Sequence, residues 1–237
     1  SYWFKNKAYR AVLKHAASKA KYIITPSEFT KQDVHKTLGI HLKKINVTYL
    51  APFRGKKNEK IGKELLHSQF QIPNSPYVLC VGVAYPHKNL QRLIEAWKIF
   101  QQKYNKNYKL ILVGKKNYFY DKLQCHDDEK IILTGFLPDD KLEEIYSNAS
   151  LYVFPSLYEG FGMPPLEAMI YGIPVVSSNT TCLPEILENA VFYFDPNNIE
   201  KMADAIHRGL TDQNLREQLK NNARALLKKY SWEETAK

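Results

Sequence analysis

Eight short stretches rich in Val, Ile, Leu, Phe and Tyr are spaced along the 237 residues, and many of them are continuous rather than alternating. They fall at 22–25, 45–49, 77–81, 109–113, 131–134, 151–154, 174–177 and 191–194. A strand that alternates apolar with polar residues has one wet face. A strand that is apolar throughout is covered on both faces, as in a parallel sheet lying between helices. Helical patterns separate the runs, at 27–38, 89–103, 139–147, 164–171, 183–188, 199–210 and about 213–229. In 89–103, Leu90, Leu93, Ile94, Trp97 and Phe100 recur at the spacing of one helix face. The repeated alternation predicts a doubly wound α/β domain, with a Rossmann-like parallel sheet, from about residue 60 onward.

Before that point the pattern is only helix, strand, helix, strand, and two strands do not make a stable sheet alone. Residues 55–62 are polar and read as a linker. We therefore divide the chain into 1–54, the tail of another domain, and 55–237. The charge divides in nearly the same way. The net charge is +10, and residues 1–72 hold 15 Lys and Arg against 4 Asp and Glu, leaving the remainder near neutral. A basic helix at 2–20 gathers Trp3, Ala8, Val12, Leu13, Ala16 and Ala17 on one broad face. That face suits a membrane surface or further protein, and its small Ala residues favour the latter. Cys80, Cys125 and Cys182 form neither a disulfide framework nor a metal-ligand spacing, which points to a reducing, cytoplasmic setting and to no metal. The longest apolar run, 77–85, is far short of the roughly 18–20 residues of a membrane span. The first residues carry no signal-peptide h-region, and the missing initiator Met fits a fragment.

Ligands of parallel α/β sheets sit beyond the carboxyl ends of the strands. Glycines follow three of these ends, at Gly82, Gly114 and Gly135, and the cations Lys88 and Lys115 lie in the same loops. After the run at 151–154 comes Glu159-Gly160-Phe161-Gly162-Met163-Pro164-Pro165-Leu166-Glu167. Here the chain turns sharply and a helix starts at the rim. Free amides and the positive end of the helix dipole favour an anion such as a diphosphate there. Pro164 and Pro165 have no N–H, which leaves Gly162, Met163 and Leu166 as donors. Glu167 reads as a first-turn carboxylate able to accept two ribose hydroxyls. Taken singly, it reads as readily as a capping residue, and Lys88 as a surface lysine.

Glu159 to Glu167 resembles the Glu-x7-Glu motif of retaining GT-B glycosyltransferases of family 4. The likeness extends to Gly82…Pro86-His87-Lys88-Asn89, Thr134-Gly135-Phe136-Leu137-Pro138, Gly172-Ile173-Pro174, Leu183-Pro184-Glu185 and Tyr230-Ser231-Trp232-Glu233, and it is greatest for bacterial O-antigen or capsule mannosyltransferases. The resemblance implies a GT-B fold with an incomplete N-terminal, acceptor-side domain and a C-terminal domain that binds the nucleotide sugar. On it, Glu159 and Lys88 act in catalysis. Glu167 takes the ribose, Phe161, Gly162, Met163 and Leu166 line the donor with Gly82 and Lys115, and the backbone of Gly135, Phe136 and Leu137 flanks the base. It implies metal-free transfer with no cofactor, from GDP-mannose or another nucleotide sugar, to a polysaccharide or lipid-linked saccharide. It is compatible with peripheral attachment to the inner face of a membrane. Val83 and His87 stand where many relatives carry Arg, so diphosphate binding rests on Lys88 and the helix end. Residues 1–54 resemble only the end of the family's first domain, so the chain is expected to bind donor and transfer poorly alone. The alternatives are a nucleotide-sugar epimerase on the same fold and a basic module for membrane or nucleic acid. No nucleic-acid motif accompanies the lysines.

Overall fold

The computed structural model describes residues 2–52, 72–104, 107–125 and 128–236. The 55–62 segment, and with it the division at residue 54, lies outside the described residues. The first part contains α1 (Tyr2–Lys19), β1 (Ile23–Thr25), α2 (Glu28–Leu38) and β2 (Ile45–Val47), with β1 and β2 paired in parallel. Six strands build the second sheet: β3 (Tyr77–Val81), β4 (Lys109–Val113), β5 (Ile131–Gly135), β6 (Leu151–Phe154), β7 (Val175–Ser178) and β8 (Phe192–Phe194). All are parallel, in the order β5-β4-β3-β6-β7-β8. The architecture is the doubly wound α/β domain expected from the apolar runs, and the strand order is one that the sequence reading did not specify.

Continuous apolar strands are needed because each face of the sheet has its own core. Leu79, Ile111, Tyr152, Phe154 and Val175 point to one side and pack with α4 (Asp139–Ser147), α5 (Met163–Ile170), α6 (Leu183–Leu187) and α8 (Gln213–Leu226). Val78, Cys80, Leu110, Leu112, Val153 and Val176 point to the other and meet α3 (Leu90–Tyr104) and α7 (Ile199–Thr211). The stripe read from the sequence, including Trp97 and Phe100, is buried on that second side. A short α9 (Trp232–Thr235) follows.

One boundary differs in a way that matters. α5 begins at Met163 rather than Pro164, with Gly162 as its left-handed N-cap (φ 90°). A Cβ there would approach Leu183 Cδ2 to 2.6 Å, so the turn requires glycine. Glu167 is therefore the fifth residue of α5 and opens its second turn, beyond the reach of the dipole argument that placed it in the first. On α1, Ala8, Val12, Leu13 and Ala16 of the face read from the sequence are exposed, as are Phe4 and Tyr9. No helix among the described residues is long and apolar enough to cross a membrane.

Candidate functional site

The strand order reverses between β3 and β6. The loop after β3 leads to α3 on one face, and the loop after β6 leads to α5 on the opposite face. Diverging loops open a crevice at the carboxyl ends of these two strands, the position where sheets of this topology bind ligands. Lys88 from the first loop and Glu159 from the second meet there, with Lys88 Nζ 2.7 Å from Glu159 Oε1. Both side chains are mostly covered, at 20% and 13% exposure. Lys88 Nζ also lies 5.6 Å from the centre of the Phe154 ring.

The loops are locked to each other by Asn89, a residue the sequence reading passed over. It sits in the left-handed region (φ 60°), buried, and donates to the carbonyls of Pro155 (3.1 Å) and Pro196 (2.9 Å). The Leu157 N–H donates to the His87 carbonyl at 2.7 Å. On the other flank the glycines form one continuous rim. Gly82 N–H donates to the Val113 carbonyl, Gly114 N–H to the Gly135 carbonyl, and Gly135 N–H to the Tyr120 hydroxyl. Beyond Gly135, Phe136 is exposed and Leu137 buried. Lys115 is exposed, while the stem of Lys116 lies against Gly135.

The α5 end narrows the list of anion donors. Gly162 and Met163 precede two prolines, and Leu166 sits where α-helical geometry directs its amide back to the Gly162 carbonyl. The Leu166 and Phe161 side chains both belong to the core, the latter edge-on to Tyr230 at 5.8 Å. Any contact from Phe161 to a ligand is therefore through its backbone. Glu167 accepts from the Tyr146 hydroxyl at 3.2 Å. Burial raises its carboxyl above the ordinary value, and the Tyr146 bond pulls it back down. Among the described residues, no cluster of three or more His, Cys, Asp or Glu side chains is placed to hold a metal ion.

The loop that carries Glu159 is gripped from the first part of the chain. Ser27 and Thr30 donate to the Gly160 carbonyl at 2.7 and 3.1 Å, and Tyr158 donates to Asp33 at 2.8 Å. Glu185 accepts the amides of Glu28 and Phe29 at 2.8 and 3.0 Å and so caps α2. Ser27 is the N-cap of α2, and it also reaches a partner 133 residues away. A separate cavity of about 300 Å³ between Thr48, Tyr49, Lys229 and Tyr230 lies apart from this crevice.

Residues 62–226 match the model of the family described as glycosyl transferases group 1. The chain belongs to that family. It is 32% identical over 227 residues to O-antigen chain mannosyltransferase B of Escherichia coli, covering 93% of this chain and 60% of that one. O-antigen chain mannosyltransferase RfbU of Salmonella typhimurium is 31% identical over 214 residues, 84% of this chain and 57% of that one. The chain thus spans about 60% of the length of these relatives. Sucrose-phosphate synthase of Thermosynechococcus elongatus superposes with a TM-score of 0.75 at 22% identity, over 97% of this chain and 59% of that chain. HepE of Anabaena, solved in complex with UDP and glucose, gives 0.72 at 21% identity, over 89% and 59%. At these identities the likeness is one of fold, and it is the GT-B α/β fold expected from the motifs.

Proposed function

We propose that this chain forms the donor-binding part of a retaining family 4 glycosyltransferase. It moves a hexosyl group, mannosyl from GDP-mannose, to a polysaccharide or lipid-linked saccharide. The observation that carries the reading is the Lys88–Glu159 pair at the switch point, with Glu159 on the loop that leads into α5 and Glu167 on that helix. The names of the two bacterial relatives support mannosyl transfer. Lys88 neutralises the diphosphate together with the Gly162 and Met163 amides, and Glu167 accepts from the ribose hydroxyls. The Gly135–Leu137 backbone flanks the base. Glu159 orients the donor sugar through its hydroxyls, and stabilisation of the departing diphosphate supplies most of the catalysis. The exposed Phe4, Tyr9 and Val12 on basic α1 favour seating this protein at the membrane surface that holds a lipid-linked acceptor.

Calorimetric titration with GDP, GDP-mannose, UDP and UDP-glucose tests the reading. GDP and GDP-mannose should bind, and Glu167→Ala should weaken both about tenfold or more, the loss of about 1.4 kcal/mol or above. Absence of binding by every nucleotide would remove the proposal.

Glu159 should also behave in a way that separates product from donor. In the free protein it holds Lys88, so a bare diphosphate must take the lysine and leave a largely covered carboxylate unpaired. A donor sugar compensates through its hydroxyls, whereas GDP does not. Glu159→Gln is therefore expected to bind GDP about 5- to 10-fold more tightly, roughly 1 kcal/mol, with a much smaller gain for GDP-mannose. Weaker GDP binding by the variant would show that Glu159 does not compete for Lys88.

A further inference from the structure

Behind Glu167 lies a buried stack of tyrosine rings. Tyr146 on α4 is 2% exposed and donates to Glu167 Oε2. Its ring is held on two sides, parallel to Tyr171 at 5.4 Å with an interplanar angle of 2°, and against Tyr152 at 5.9 Å. The Tyr152 hydroxyl accepts the Val81 amide and donates to the Val81 carbonyl, both at 3.3 Å. Val81 is the last residue of β3, next to Gly82 at the rim. Two stacked tyrosines thus stand between the end of β3 and the carboxylate on α5.

Tyr171 and Tyr152 fix the ring of Tyr146, and that ring fixes where its O–H points. A carboxylate offers about four lone-pair sites. Tyr146 takes one on Oε2, and Oε1 has no hydrogen bond among the described residues. Without that bond the half-buried carboxylate has no partner to set its terminal torsion, which is intrinsically soft. Burial disfavours its ionised form and the Tyr146 bond favours it.

We infer that Tyr146 is a positioning residue for ribose recognition: its hydroxyl orients Glu167 so that the carboxylate can take both hydroxyls of a vicinal diol. This rests on the reading of Glu167 as the ribose ligand. Tyr146 itself touches no substrate.

The test compares GDP with 2′,3′-dideoxy-GDP by calorimetry on wild type, Tyr146→Phe, Glu167→Ala and the double variant. Wild type should prefer GDP by about 30-fold, the value of two good hydrogen bonds to a charged acceptor after partial compensation by water. Tyr146→Phe keeps the stacked ring and should reduce the preference to about 3- to 5-fold, almost wholly through weaker GDP binding. In the Glu167→Ala background the same change should leave the ratio unmoved. The inference is overturned if Tyr146→Phe retains the full preference, or if it weakens both nucleotides equally, as a general loss of structure would. It is also overturned if the ratio still moves when Glu167 is absent. A wild type that binds both nucleotides equally would instead remove the ribose role of Glu167, a different failure with a different signature.

Discussion

Lys88→Ala is expected to weaken GDP binding by about 30- to 100-fold, or roughly 2–2.7 kcal/mol. A hydrogen bond to a charged group contributes about 1.5–3 kcal/mol, and Lys88 is the cation that pairs with Glu159 in the crevice, with Val83 and His87 in its own loop and Lys115 exposed. A second effect acts in the same direction. Removing the ammonium leaves the Glu159 carboxylate, 13% exposed, facing the incoming diphosphate with like charge. Lys88→Met separates charge from packing. It keeps an aliphatic side chain in place of the lysine stem, so most of the loss should persist if the ammonium is what binds. Combining Lys88→Ala with Glu159→Gln should recover part of the affinity, because the repulsion disappears with the carboxylate. The measurement is calorimetric titration with GDP at fixed ionic strength. A Lys88→Ala protein that binds GDP within threefold of wild type would place the diphosphate elsewhere.

The parts of this molecule that could be read from its sequence are those written in local pattern. Continuous runs such as Leu151–Phe154 gave the parallel strands, because a residue type carries its burial with it. The 3.6-residue stripe through Leu93, Trp97 and Phe100 gave α3 for the same reason. Lys88 and Glu159 could be proposed as site residues because the loops that follow strands form the ligand rim. Their contact could not be read, since it depends on which two strands are neighbours where the order reverses. Asn89, Ser27, Glu185 and Tyr146 were missed on the same ground. Each looks like an ordinary turn, cap or core residue in its own window, and each meets a partner between 21 and 157 residues away. The position of Glu167 failed for a subtler reason. Proline suits the first helical residue, so Pro164 looked like the start. The left-handed Gly162 instead lets the helix begin one residue earlier, at Met163. The open face of α1 is a case where periodicity was present and no covering surface appears among the described residues.

Gly114→Ala is expected to be the most damaging single methyl group on the rim. A Cβ built on Gly114 would fall inside the contact distance of the Gly82 carbonyl oxygen and 2.8 Å from its carbon. The obstacle is main chain, which cannot rotate away as a side chain can. It is also held in place, because Gly82 N–H is bonded to the Val113 carbonyl and Gly114 N–H to the Gly135 carbonyl. Relief therefore requires the ends of β3, β4 and β5 to separate, breaking one or both of these bonds. Overpacking of this kind costs about 3 kcal/mol. For a chain of this size that corresponds to a fall in Tm of roughly 6–12 °C, measured by circular dichroism on heating. The local consequence should be visible as well. Gly82 leads into the Lys88 loop, so the surviving folded protein should bind GDP more weakly than wild type even well below its Tm. A Tm within about 2 °C of wild type, beneath the ~1 kcal/mol typical of point substitutions, would mean that the rim can open at little cost. The close approach of the three glycine loops would then not be what holds the crevice in shape.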